Sequence, residues 1–285
     1  MKQRVITGVL GALFGLAVLA FMFTPVLGIV IAAVSLIASY EIQHVAKIEN
    51  KLLMIINIVL AAFMPFVYEY KLFSKLPFPT YVIAIVYVII MMFIMLGNYK
   101  KTKFEDVVMS MFCGIIVPYV MSTITLLRNL CLSRPDLFQK SHVFFIIFTA
   151  LLSAWLNDTF AYFVGRKFGK HKLAPNISPK KSVEGAIGGI VITMLFNLAF
   201  FFIFDYFFFK NDTIKWWMIP ATSMFLSAIS IGGDLSASVI KRNFGEKDFG
   251  TIFPGHGGIM DRFDSYSFVM PMLYAIISLI LSVGA

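Results

Sequence analysis

Apolar residues in this chain do not alternate with polar ones; they run. Nine long hydrophobic stretches, at about 5–22, 26–46, 52–70, 80–97, 105–127, 142–164, 184–209, 216–240 and 266–284, are separated by short polar segments. Each is near the ~20 residues a helix needs to cross a hydrocarbon core, and continuous runs of this kind exclude the alternating strands of a membrane barrel. The pattern predicts an all-α, polytopic integral membrane protein with about nine transmembrane helices. Thr24-Pro25 separates the first two runs so tightly that they should form a helical hairpin. The first run is too long and too lightly charged for a cleaved signal and reads as a retained span. The short connections leave no room for a soluble domain. Residues 1–145 hold N-terminal helices and 146–285 the chemistry-bearing region of one continuous membrane domain.

Composition agrees: 59% of residues are hydrophobic and 14% charged, and the mean hydropathy is +0.86. A net charge of +9 would suit a nucleic-acid partner in a soluble protein. Its distribution argues otherwise. Seventeen of the 24 Lys and Arg residues fall in 1–4, 47–51, 98–104, 165–183 and 241–265, on one side of the alternating spans. That bias predicts a cytoplasmic N-terminus, a multi-pass protein of the cell (inner or plasma) membrane, and no nucleic acid. Cys113 and Cys131 have neither metal-ligand spacing nor the makings of a disulfide framework.

The two longest segments on the cytoplasmic side carry the unusual chemistry. Lys241 to Ser265, KRNFGEKDFGTIFPGHGGIMDRFDS, packs eight charged side chains, five glycines and a histidine between the last two spans. Asp261 and Asp264 lie i, i+3 at the entry to the last span, where a carboxylate can also serve simply as a helix cap. Consecutive glycines around His256 let backbone N–H groups approach an anion. In the span before it, Asp234, Ser238 and Lys241 or Arg242 fall on one helical face. A snorkelling Lys241-Arg242 pair is common at an interface, but it does not explain Asp234, about two turns deeper. The other segment, Asn157 to Gly189, starts with Asp158 inside a span, passes Arg166, Lys167, Lys170 and Lys172 in a Gly/Pro-broken loop, and re-enters past Lys180, Lys181, Ser182 and Glu184. Pairing with Arg166 or a lysine is the plainer account of Asp158; an ionisable residue within a span also marks a functional cavity.

Carboxylates, lysines, arginines and glycine turns at one membrane face suit phosphate chemistry. Mg²⁺ commonly takes one or two carboxylates plus substrate phosphates, and positioning with charge neutralisation supplies most of the catalysis. No Walker A, dinucleotide fingerprint, H-E-x-x-H or G-x-S-x-G motif is present. The nucleophile is therefore expected to come from a substrate.

At these residues the chain resembles the phosphatidate cytidylyltransferases (CDP-diacylglycerol synthases). Their long signature runs unbroken through Ser238, Lys241, Arg242, Lys247, Asp248, Gly250, Phe253, Pro254, His256, Gly257, Gly258, Asp261, Arg262 and Asp264. The block from Asn157 to Gly185 is similar to the same family. The resemblance covers the chain from about residue 150. It implies that 146–285 is catalytic and transfers CMP from CTP to phosphatidate, giving CDP-diacylglycerol and pyrophosphate. The expected catalytic residues are Asp234, Lys241, Arg242, Asp261 and Asp264, with Asp234, Asp261 and Asp264 holding Mg²⁺. Substrate contacts are expected from Asp158, Arg166, Lys180, Lys181, Ser182, Glu184, Ser238, Lys247, Asp248, His256, Gly257, Gly258 and Arg262. A second cation and a homodimer are further expectations; the partners are CTP from water and phosphatidate in the bilayer.

Two alternatives remain at this level. Another membrane enzyme of phosphate-bearing lipids, such as a CTP-dependent lipid kinase, would share the acidic cytoplasmic face. A secondary transporter could use Asp158 and Asp234 for ion coupling, but its ionisable groups would more naturally lie at the midplane.

Overall fold

The computed structural model describes residues 11, 13–209, 213–253, 255 and 257–283. Among them, eight helices are long and apolar enough to cross a membrane. They are α1 (Val26–Val45), α2 (Lys51–Glu69), α3 (Thr80–Gly97), α4 (Phe104–Leu132), α5 (Lys140–Phe168), α6 (Val183–Phe208), α7 (Met218–Asn243) and, after the short α8 (Met260–Phe263), α9 (Tyr266–Val283). The expected span at about 5–22 lies partly outside the described residues, and His256 lies outside them. The protein is an all-α, multi-pass membrane protein.

Contacts divide the chain into two compact units, Met1–Thr125 with Phe244–Arg262 and Leu126–Asn243 with Phe263–Ala285. In the first, Asn50 caps α2 by accepting from Leu52 and Leu53 N–H at 3.1 and 3.2 Å, and its amide donates to Thr102 Oγ1 at 2.9 Å. Ile48, Leu53, Met91 and Val107 form a core between α2, α3 and α4. A π turn at Phe112–Ile116 interrupts α4. Around that core α3 turns Phe93 and Leu96 outward, 67% and 60% exposed. Apolar surface of this extent is stable only against lipid, and the helices satisfy their own backbone groups there.

In the second unit α5 packs on α6, and α7 on α5, α6 and α9. Phe145, Phe201, Phe204 and Ile219 bury one end of the bundle. Elsewhere amides and hydroxyls join the helices: Asn197 donates to Ser153 and Ser223 Oγ at 2.9 and 2.8 Å, and Asn157 to Ser230 Oγ at 2.9 Å. Polar side chains at such interfaces act as glue in a membrane, where apolar burial cannot drive association.

Gly233 shows how closely α7 and the start of α9 meet. A Cβ there would lie 2.7 Å from the backbone oxygen of Asp264 and 3.2 Å from Phe268 Cβ, whereas one on Gly232 would meet nothing within 4 Å. Gly233→Ala is therefore expected to lower the melting temperature of the detergent-solubilised protein, at an overpacking cost of ~1–3 kcal/mol. Gly232→Ala, with the better helix former in open space, should leave it unchanged or raise it. The opposite ranking would remove Gly233 as a packing contact.

One local expectation is corrected. The Gly/Pro-broken loop at 165–183 contains a small antiparallel hairpin, β1 (Lys172–Ala174) with β2 (Ser178–Ser182), pairing Lys172 with Ser182 and Ala174 with Ser178. Its strands are too short and too polar to show an apolar alternation, so the pattern of the sequence reads only as loop.

Candidate active site

In the second unit the hairpin delivers a lysine to α7. Side chains on a strand alternate between faces, so Lys180 and Lys181 point opposite ways. Lys180 is exposed, and Lys181 Nζ pairs with Asp234 Oδ2 on α7, with both side chains about three-quarters covered. Ser182 then caps α6, its Oγ accepting from Gly185 N–H at 3.1 Å. Glu184 accepts from the backbone N–H groups of Lys170 and His171 at 3.0 and 3.2 Å and lies 2.6 Å from His171 Nδ1. Its carboxylate thus closes the base of the hairpin. Arg166, Lys167 and Lys170 are exposed at and beyond the end of α5, and Lys172 is exposed on β1.

Asp234 is the centre of this unit's charge. Ser238 Oγ, one turn on, donates to its Oδ1 at 3.4 Å, and Lys241, a further turn on, is 8% exposed. Arg242 beside it is exposed. Asp264, at the entry to α9, completes the group. Burial pushes its carboxyl up to about 7, and the negative charges of Asp234 and then Asp158 add to the rise, against Ser265 N–H and Lys241. Asp158 accepts from Ser265 Oγ at 2.9 Å. Asp158, Lys181, Asp234, Ser238, Lys241 and Asp264 therefore share one charged neighbourhood in the second unit.

The remaining described residues of the signature belong to the first unit. Asp261, 7% exposed, accepts through Oδ2 from Phe249 N–H at 2.7 Å and Gly258 N–H at 2.9 Å. Phe253 N–H donates to Gly257 O at 2.9 Å, and Gly257 has φ +86°. Lys247, Asp248 and Arg262 are exposed. The same unit supplies a carboxylate that the reading of motifs passed over. Glu41 on α1, 3% exposed, accepts from Ile259 and Met260 N–H at 3.0 and 2.9 Å. Its sequence signal was an acidic residue inside an otherwise apolar span, which by default marks function.

Among the described residues, no three His, Cys, Asp or Glu side chains converge as a ready-made cation cage. Asp234 and Asp264 nevertheless offer the hard oxygen donors of a site that substrate phosphates and water would complete, the usual manner for Mg²⁺.

Comparison with known proteins is consistent along the whole chain. The model of the Cytidylyltransferase family matches residues 2–280. The phosphatidate cytidylyltransferase of Bacillus subtilis (strain 168) is 32% identical over 285 residues, covering 98% of each chain. Those of Staphylococcus haemolyticus (strain JCSC1435) and Staphylococcus aureus (strain COL) are 46% identical over 127 residues, 45% of this chain and 46% of theirs.

Proposed function

The chain belongs to the cytidylyltransferase family, and we propose that it transfers CMP from CTP to phosphatidate, releasing pyrophosphate and leaving CDP-diacylglycerol in the bilayer. The observation that carries this reading is the similarity to a phosphatidate cytidylyltransferase over 98% of both chains. The architecture suits the chemistry: one substrate is held in lipid by its acyl chains and the other arrives from water. The excess of Lys and Arg at 165–183 and 241–265 supports a site open to the cytoplasm.

A phosphatidate phosphate oxygen attacks the α-phosphorus of CTP. As that P–O bond forms, the bond to the bridging oxygen breaks, and pyrophosphate leaves with the electron pair. Lys181 beside Asp234 and Lys241 near Asp264 supply positive charge where phosphate oxygens gain negative charge. Asp234 and Asp264 are the carboxylates this reading assigns to Mg²⁺; Asp261, expected with them, instead accepts through its Oδ2 from the N–H groups of Phe249 and Gly258. A cation bound there supplies neutralisation of the triphosphate and the departing pyrophosphate. Ser238, hydrogen-bonded to Asp234, is a positioning group rather than a nucleophile.

The reading is tested with purified protein in mixed micelles of phosphatidate, CTP and Mg²⁺. Equal amounts of CDP-diacylglycerol and pyrophosphate are expected; a phosphorylated lipid with CDP as by-product would make it a lipid kinase. Direct attack also fixes the stereochemistry. With a chiral α-thio-CTP the product should show inversion at the α-phosphorus. Retention, or a CMP adduct trapped on Ser238, would replace direct attack by a covalent route.

A further inference from the structure

The loop between α7 and α8 is held by two carboxylates on its own unit's side. Asp261, on α8, ties Phe249 to Gly258. Glu41 reaches it from 218 residues away along the chain, one oxygen accepting from Ile259 N–H and the other from Met260 N–H. Gly250 and Gly258 also come up against Glu41: a Cβ on either would overlap its Oε1. Two glycines separated by the tip of the loop therefore press on one buried carboxylate. Hydrogen bonds from backbone N–H to a carboxylate are among the stronger kinds, and burial removes competing water.

We infer that Glu41 is a positioning residue for the transfer reaction, the anchor that holds Gly250 against Gly258, Ile259 and Met260. The inference rests on the cytidylyl-transfer reading for its kinetic consequence, but not for its structural one. Glu41 touches neither substrate in this account. It acts through the loop that carries Lys247, Asp248 and the glycines Gly257 and Gly258, which the signature assigns to substrate. The geometry also accounts for Gly250 and Gly258: with no side chain, the backbone can lie against the carboxylate. The role adds a residue of α1, far outside the signature, to the set on which the reaction depends.

The experiment uses the full-length protein in detergent, as wild type, Glu41→Gln, Glu41→Ala, Glu41→Asp, Gly258→Ala and the Glu41→Gln/Gly258→Ala double variant. Glu41→Gln keeps the size but presents an amide N–H₂ to one of two backbone donors. The first readout is the rate of trypsin cleavage after Lys247 and Arg262, both exposed, relative to cleavage elsewhere. It should rise several-fold in Glu41→Gln and Glu41→Ala with the rest of the pattern unchanged. The second readout is kcat/KM for CTP, expected to fall by ~100-fold, the scale of a small misplacement of reacting groups. Glu41→Asp, which keeps the carboxylate on a shorter stem, should recover part of the loss. The double variant should be no worse than the poorer single one, because both changes undo one contact, whereas independent sites add.

Wild-type cleavage and activity in Glu41→Gln and Glu41→Ala would overturn the inference. So would additive losses with cleavage spread over the whole chain, which would make Glu41 a general stability residue. If Glu41→Ala fails to fold, Gly250→Ala and Glu41→Gln give the same readouts without emptying the site. Faster cleavage in Glu41→Gln and Glu41→Ala, with a wild type that makes no CDP-diacylglycerol, would leave the anchor standing and remove the reaction instead.

Discussion

Asp234→Asn is expected to lower kcat/KM by about 1000-fold or more, at the upper end of what removing one electrostatic stabiliser from a reacting centre costs. The substitution keeps the shape and removes the charge. It takes from Lys181 its ion-pair partner and from Ser238 a carboxylate acceptor. It also deletes one of two carboxylates assigned to Mg²⁺ and relieves Asp264 of a neighbouring negative charge. The Mg²⁺ concentration needed for half-maximal residual activity should rise, because the site has lost a hard anionic donor. Thermal stability in detergent should fall only modestly: the amide keeps the shape and an acceptor for Ser238, although Lys181, about three-quarters covered, loses its ion-pair partner. Near wild-type turnover with an unchanged Mg²⁺ requirement would take Asp234 out of the site. Lost activity accompanied by a large drop in melting temperature would make it a folding residue instead.

The spans were legible because hydrophobic length is their physical cause. The runs expected at about 52–70, 80–97, 184–209 and 266–284 correspond to Lys51–Glu69, Thr80–Gly97, Val183–Phe208 and Tyr266–Val283. The one expected at about 216–240 continues to Asn243. Lys241 and Arg242 carry long apolar stems, so their charge does not end the helix as it ends the hydrophobic run. The acidic members of the second unit's site were legible for the opposite reason: a carboxylate such as Asp158 or Asp234 within a span is costly without a use. Periodicity gave no access to contacts between distant parts of the chain. Glu41 sits in a run whose hydropathy absorbs it, and its partners are backbone N–H groups that no side-chain motif records. The hairpin was hidden likewise, because Glu184 holds its base through the backbone of Lys170 and His171.

That hairpin separates lysines which composition treats alike. Lys172, Lys180 and Lys181 all lie in the segment whose positive charge is expected to orient the protein, and bulk charge alone would make them equivalent. The strand geometry does not. Lys172 and Lys180 are exposed, whereas Lys181 turns to Asp234. Lys181→Met is expected to lower kcat/KM for CTP by ~100-fold or more, since truncating one member of a partly buried charge pair also leaves its partner uncompensated. Lys172→Met and Lys180→Met should each cost less than about tenfold, as exposed charges whose influence is screened beyond a Debye length. Salt provides the discriminating control. The small deficits of the exposed variants should shrink as ionic strength rises from 0.02 to about 0.3 M, while the Lys181→Met deficit should persist. Three equal losses that all vanish in salt would mean that the segment works by its summed charge, and that the Lys181–Asp234 pair has no part in the reaction.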